Sequence, residues 1–134
     1  MSVEDNKTVV RRVWEEAAVQ GNLDVIDTSF APNVILHYYN TPPHDYASLR
    51  KLVQEFHQAM AGHTATFHDL VAEGDTVAAR FSYAVATHHA QFGNNPPTGQ
   101  PFQLECTAFV HFEQGKVIEL WVYYEGASFD ASPT

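Results

Sequence analysis

Apolar residues at the start of the chain recur with the period of a helix. Residues 3–20 carry one apolar stripe that includes Val10, Trp14 and Ala17, which predicts a helix that buries one face. Ser2 can cap this helix, with Asp5 three residues later as the second half of a capping box. The pattern therefore predicts an amphipathic helix over residues 3–20.

Two more helices and a short strand are predicted before residue 63. A short helix begins at Asn22, and a third helix runs from the N-cap Asp45 to Ala61. Between these helices, residues 33–39 alternate between two sets of side chains, as a strand does. His57 lies beside the apolar stripe of the third helix, where it could reach the rim of a pocket.

From residue 64 the period changes to two, which predicts strands. The predicted strands cover residues 64–72, 76–92 and 102–112, and a last one follows the turn at Gln114–Gly115. On the strand over 76–92 the odd-numbered residues are larger and more apolar, so we expect them to face the core. This choice points His89 inward and His88 outward.

The turn at Gln114–Gly115 fits the tip of a two-residue hairpin. Its register pairs Ala108 with Trp121 and puts Glu119, Trp121 and Tyr123 on the core face. A slip of one residue would turn all three outward, because successive side chains of a strand point to opposite faces.

Composition limits the class of protein. A chain of 134 residues is expected to form one domain over residues 1–134. Its net charge of −9 argues against nucleic acid and against an anionic membrane surface as partners. The start of the chain is polar and acidic, and no apolar run approaches the length of a membrane span, so a cytoplasmic location is expected.

Neither a metal nor a cofactor is predicted. Cys106 is the one cysteine, which excludes an internal disulfide and a cysteine-based metal cluster. The eight histidines are scattered, and the neighbours His88 and His89 would point to opposite faces of a strand. No glycine-rich phosphate loop is present in the sequence.

The order of elements predicts an α+β fold. Three helices in the N-terminal half precede a meander of long strands, so a curved mixed or antiparallel sheet is expected to wrap around the helices. A concave pocket would lie between the sheet and the helices.

Three segments of the second half give a family resemblance. They are Thr87-His88-His89-Ala90-Gln91-Phe92, then Pro96-Pro97-Thr98-Gly99, then Gly115-Lys116-Val117-Ile118-Glu119-Leu120-Trp121. In this order and spacing they resemble the SnoaL-like polyketide cyclases of the nuclear transport factor 2-like superfamily. The resemblance covers nearly the whole chain and implies a cone-shaped, cystatin-like α+β barrel.

The resemblance also implies a chemistry. Such cyclases close rings by intramolecular aldol chemistry without metal or cofactor, with an aspartate as the acid/base. That position is Ala108 in this chain, and Val122 stands where an acidic residue often follows the tryptophan. The usual aspartate mechanism is therefore not expected here.

Other residues could replace the aspartate. With Ala108 inert, the predicted acid/base residues are His37, His89 and Glu119. Side chains expected to bind a substrate by apolar contact or hydrogen bonding are Trp14, Tyr39, Phe56, His57, Trp121 and Tyr123. The alternatives are that the histidines are structural, that Glu119 is paired or exposed, and that the aromatic residues only fill the core.

Three functions remain open at this point. The first is a cofactor-independent cyclase, isomerase or hydrolase that acts on a small apolar carbonyl compound. The second is a non-catalytic domain that binds a small apolar molecule, which Ala108 favours. The third is an interaction module that forms a homodimer through the outer face of the sheet, where Ala78, Ser82, Ala84 and Ala86 would allow close packing.

Overall fold

The computed structural model describes residues 2–38, 41–85, 87–88, 90–92 and 95–125. Tyr39, Ala86 and His89, to which the sequence assigns roles, lie outside the described residues.

The described helices and strands follow the predicted order, except that Met60–Ala61, predicted as the end of the third helix, form a short strand instead. The helices are α1 (Val3–Arg12), which continues as a π-helix over Val13–Val19, α2 (Asp24–Ser29) and α3 (Tyr46–Ala59). The strands are β1 (Phe30–Tyr38), β2 (Met60–Ala61), β3 (Thr64–Glu73), β4 (Thr76–Val85), β5 (Thr87–His88), β6 (Phe102–Glu113) and β7 (Lys116–Glu125).

The first helix has the predicted cap and end. Ser2 Oγ accepts the Asp5 backbone N–H at 3.1 Å, and Asp5 Oδ2 accepts the Ser2 N–H at the same distance. Gly21 follows the π-helix with φ +78°, a conformation that glycine adopts without steric cost. The change from α to π winding at Val13 has no signal in the apolar spacing and is not predicted.

Five strands of the described chain form a curled mixed sheet in the order β1-β7-β6-β4-β3. β1 runs parallel to β7, and the other neighbouring pairs are antiparallel. The helices pack against its concave face, where the buried core lies. This arrangement confirms the predicted α+β fold.

The predicted strand over 76–92 is divided. β4 ends at Val85, and its odd-numbered residues face the core as predicted. β5 pairs with β2 instead of extending the main sheet, with His88 opposite Met60. His88 is buried, so its predicted outward position is wrong, because the change of partner strand ends the alternation counted from β4.

The hairpin is confirmed, but its predicted register is wrong beyond the first pair. Gln114 and Gly115 both have positive φ, as this type of turn requires. Phe112 pairs with Val117 as predicted, and the next pair is His111 with Glu119. Ile118 is therefore an extra residue, a β-bulge that reverses the facing of every later side chain in β7.

The bulge moves three predicted site residues to the outer face. Ala108 pairs with Val122, and Leu120 and Val122 point into the core. Glu119, Trp121 and Tyr123 lie on the opposite face, and Tyr123 is 45% exposed. Their predicted inward position is wrong.

His37 is also on the outer face, contrary to prediction. In β1 the buried set is Val34, Leu36 and Tyr38, and His37 alternates with it. The more apolar set faces the core because its burial gains more free energy than burial of a histidine.

Candidate functional site

A pocket lies inside the fold, between α3 and the concave face of the sheet. Its volume is about 50 Å³. Its lining is Val13, Trp14, Ala18, Phe30, Leu36, Tyr38, Leu49, Leu52, Val53, Phe56, Phe92, Leu120, Val122 and Tyr124. α3 alone supplies four of these side chains, from Leu49 to Phe56, so one wall of the pocket is a single helix.

The polar groups of this lining are an indole and two phenols. Trp14 Nε1 donates a hydrogen bond to Tyr124 Oη at 3.4 Å. The rings of Tyr38 and Tyr124 meet edge to face, with centroids 5.7 Å apart. The lining contains no carboxylate and no imidazole among the described residues. It can hold an apolar molecule and offer hydrogen bonds to one polar group.

Phe56 is the centre of the aromatic packing beside the pocket. Its ring lies within 5.1–6.1 Å of the rings of His63, Tyr83, Phe92 and Tyr124, measured between centroids. Burial raises the pKa of Tyr83 well above its usual range, so its phenol stays protonated. This packing fixes the position of Phe56, which the sequence predicts as a substrate-binding residue.

Ala108 lies on the core face, where the resemblance would put an aspartate. It is fully buried between its neighbours Ala79 and Val122 on the adjacent strands. These flanking side chains are apolar and carry no hydrogen-bonding group. Position 108 therefore lies in an apolar part of the interior.

Two of the predicted acid/base residues, His37 and Glu119, lie together, but on the outer face of the sheet. His37 Nε2 lies 2.6 Å from Glu119 Oε2, so the imidazole N–H donates to the carboxylate. Trp121 stacks on His37 with ring centroids 5.0 Å apart, and His111 meets Trp121 edge to face with centroids 4.9 Å apart. About a third of each side chain in the His37–Glu119 pair is exposed.

Two histidines hold the end of the π-helix. His57 Nδ1 is 3.1 Å from the carbonyl oxygen of Val19, and His63 Nε2 is 2.7 Å from that of Ala18. Histidine donors at a helix C-terminus satisfy carbonyls that have no partner inside the helix. The boundary position predicted for His57 is confirmed, but the residue does not line the interior pocket.

The structure thus separates the predicted site residues into two groups. Trp14 and Phe56 meet in the interior pocket, whereas His37, Glu119 and Trp121 meet on the outer face. The catalytic role of His37 and Glu119 stays a prediction. So do the roles of Tyr39 and His89, which lie outside the described residues.

Sequence reasoning missed several residues of the pocket. Tyr38 could have been found from the alternation of β1, because it shares a face with Leu36. Tyr124 and Leu120 were hidden by the bulge at Ile118, for which the sequence carries no clear signal.

No group of three or more histidine, cysteine, aspartate or glutamate side chains within the described residues could hold a metal ion. None of the described helices combines the length and the apolar character that crossing a membrane requires.

The chain was compared with known proteins. The family model for SnoaL-like polyketide cyclases matches residues 8–131. A search of curated proteins returned no match.

Solved structures of similar fold are numerous. One is AclR, a proposed hydroxylase from Streptomyces galilaeus, with 23% identity over 95% of this chain and 83% of that one and a TM-score of 0.80. A proposed SnoaL-like polyketide cyclase from Jannaschia sp. CCS1 is 18% identical over 91% of this chain and 86% of its own, with a TM-score of 0.82.

A third similar structure is IdmH from Streptomyces antibioticus, a proposed polyketide cyclase. It is 25% identical, with coverage of 88% of this chain and 90% of its own and a TM-score of 0.73. Its fold and those of the other two are nuclear transport factor 2-like. With a family model matched over nearly its full length, the chain belongs to the SnoaL-like polyketide cyclase family.

Proposed function

We propose that the interior pocket binds a small, largely apolar carbonyl compound and that the chain acts on it as a cofactor-independent cyclase of its family. The observation that supports this most is the lining, which is apolar except for Trp14, Tyr38 and Tyr124. A carbonyl oxygen accepts hydrogen bonds from phenol groups such as those of Tyr38 and Tyr124, while the rest of the ligand packs against aliphatic and aromatic walls.

The proposed catalysis rests on confinement and hydrogen bonding. Ala108 supplies no acid or base, and His37 and Glu119 lie on the outer face. A phenol that hydrogen bonds to a carbonyl polarises it and stabilises the charge that develops on its oxygen. Holding the two ends of a flexible chain together lowers the entropic part of the barrier to ring closure.

The pocket size favours a compact ligand. Ligand sites commonly enclose about 300–1,000 Å³, whereas this pocket has a volume of about 50 Å³. Because Leu49, Leu52, Val53 and Phe56 all belong to α3, an outward shift of this one helix would widen the pocket. We therefore propose a monocyclic compound or its acyclic precursor as the substrate class.

A binding experiment with a monocyclic β-keto ester tests this proposal. Leu52→Trp fills the pocket from a half-buried position on α3 and should weaken binding at least tenfold, as measured by calorimetry. Gln54→Trp is the matched control, because Gln54 is exposed on the same helix and does not line the pocket. Equal binding by both variants would exclude the interior as the site.

Tyr124→Phe tests the hydrogen bond to the ligand. It removes one hydroxyl from the lining and should weaken binding about fivefold, the equivalent of ~1 kcal/mol for one hydrogen bond. Turnover of an acyclic precursor should fall by a larger factor than binding, since a developing oxyanion gains more from the phenol than a neutral carbonyl does. An equal fall in both would mean that the Tyr124 hydroxyl contributes only to binding. No turnover by the wild-type protein would leave the non-catalytic binding function as the better proposal.

A homodimer through the outer face is a second proposal, supported by an apolar band. One residue from each strand of the sheet contributes to it: Val71, Ala78, Phe109, Trp121 and His37 are neighbours in a row across all five strands. Val71 is 62% exposed and Phe109 47%. Two copies of such a row can pack face to face about a two-fold axis.

The band keeps Ala78 from the patch of small residues but moves the proposed centre of the interface away from Ser82. Ser82 is covered, because it hydrogen bonds to His68 Nε2 at 2.7 Å and to Glu105 Oε2 at 2.8 Å. Phe109→Glu should convert a dimer to a monomer in sedimentation analysis, whereas Gln54→Glu adds the same charge on the helical side and should have no effect. A wild-type protein that sediments as a monomer at all concentrations would refute this proposal.

A further inference from the structure

A second cleft lies outside the interior pocket, along the segment that connects β5 to β6. Its volume is about 430 Å³, within the range of about 300–1,000 Å³ that is common for small-molecule sites. Its walls include His88, Asn95, Pro96, Thr98, Pro101 and Phe102. None of these residues lines the interior pocket.

Backbone hydrogen bonds shape this cleft. The Gly99 N–H donates to the His88 carbonyl at 2.9 Å, which holds Gly99 against β5. Phe92 and Asn95 exchange two backbone hydrogen bonds of 3.0 and 2.9 Å, and the Asn95 side chain donates a third to the Phe92 carbonyl at 3.1 Å. The wall is therefore built by specific contacts around His88.

His88 is one of two buried polar residues in this wall, the other being Asn95. His88 is 4% exposed, and its Nε2 has no hydrogen-bond partner among the described residues. A buried polar atom without a partner destabilises the fold, because it loses its hydrogen bonds to water. Such destabilisation is expected where a polar atom of a ligand completes the hydrogen bond.

The other walls indicate the kind of ligand. Pro96, Pro101 and Phe102 present ring surfaces, and the Phe102 ring centroid lies 5.6 Å from that of His88. The net charge of −9 disfavours an anion. A hydroxyl group suits Nε2 in either tautomer of the imidazole, because a hydroxyl both donates and accepts.

We propose that this cleft is a second ligand site, which takes a neutral hydroxylated ring compound through a hydrogen bond to His88 Nε2. The ring of the ligand packs against the proline and phenylalanine side chains. The site is independent of the ligand proposed for the interior pocket, because the two sets of lining residues do not overlap.

The test is an NMR titration of the full chain with phenol, and with toluene as a probe of similar size that lacks the hydroxyl. Phenol should shift the His88 side-chain nitrogen resonance and the amides of Thr98 and Gln100. It should bind about fivefold more tightly than toluene, the equivalent of ~1 kcal/mol for one hydrogen bond. Equal affinities, or phenol shifts at Leu52 and Phe56 without a shift at His88, would overturn the proposal.

Two variants sharpen the test. His88→Leu should abolish the preference for phenol over toluene, whereas His111→Leu, a histidine change on the outer face, should keep it. Retention of the preference in His88→Leu, or its loss in His111→Leu, would contradict the assignment. If His88→Leu does not fold, the wild-type titration still tests the proposal, because phenol must shift the side-chain nitrogen resonance of His88.

Discussion

Replacing Ala108 by aspartate introduces the residue that the family resemblance implies at this position, and we expect the protein to tolerate it poorly. Ala108 is fully buried, and its neighbours across the sheet are Ala79 and Val122. The new carboxyl group would enter an apolar layer with no hydrogen-bonding partner on these two neighbours. Ala108→Asn is the matched control, since asparagine has the same shape without an ionisable group.

The expected magnitude follows from this burial. Overpacking of a closed core costs about 1–3 kcal/mol, and an unsatisfied polar group adds about 1–3 kcal/mol, so Ala108→Asn should lose about 2–6 kcal/mol. Burial raises the pKa of a carboxyl group by up to about 3–5 units. Each unit of pKa shift is worth about 1.4 kcal/mol. At pH 7 only the roughly 3 units between the ordinary pKa of about 4 and the pH contribute, so Ala108→Asp should be roughly 4 kcal/mol less stable than Ala108→Asn.

The sign of the pH dependence is the decisive feature. With its folded-state pKa raised, the aspartate variant is most stable at low pH and loses stability as the pH rises above the ordinary value of about 4. Urea unfolding at pH 4 and pH 7 measures this. Equal stability of the aspartate and asparagine variants at both pH values would mean that position 108 is open to water, which would refute the closed interior described above.

Three further predictions concern the packing around the pocket. Gly21→Ala should cost several kcal/mol in chemical unfolding, since its Cβ would lie 2.6 Å from His57 Nε2. Gly74→Ala, also at positive φ but with nothing within 4 Å, should cost only about 1–2 kcal/mol. Cys106 should stay unreactive toward a thiol reagent at pH 8 until the protein unfolds, because burial raises the pKa of its thiol. Burial also lowers the pKa of His63, against the opposing effect of its two carbonyl partners, so unfolding free energy should fall as the pH drops through about 6.5. His63→Phe should lack that part of the pH dependence.

Much of the fold could be predicted because local chemistry determines it. The cap at Ser2, the Asp45 cap of α3 and the turn at Gln114–Gly115 each depend on a few neighbouring residues. Alternation also assigned the inner face of β4 correctly. In each of these elements, the residues that determine the structure lie within the element itself.

The candidate site could not be predicted to the same extent. The face of the sheet to which a side chain points depends on β-bulges and on which strands pair, and neither is encoded within one segment. A single bulge at Ile118 sends Glu119 and Trp121 outward and brings Leu120 inward. The change of partner between β4 and β5 likewise reverses His88. Neither the bulge nor the change of partner strand alters the pattern of apolar and polar residues, so the sequence does not reveal them.

A crystal structure of the protein soaked with a monocyclic β-keto ester tests the central claim most directly. The account predicts density for the ester in the interior pocket, against Leu52, Phe56 and Leu120, with its keto oxygen within hydrogen-bond distance of Tyr38 or Tyr124. Density on the outer face against His37, Glu119 and Trp121, with the interior unchanged, would contradict it. That result would instead support His37 and Glu119 as the acid/base residues.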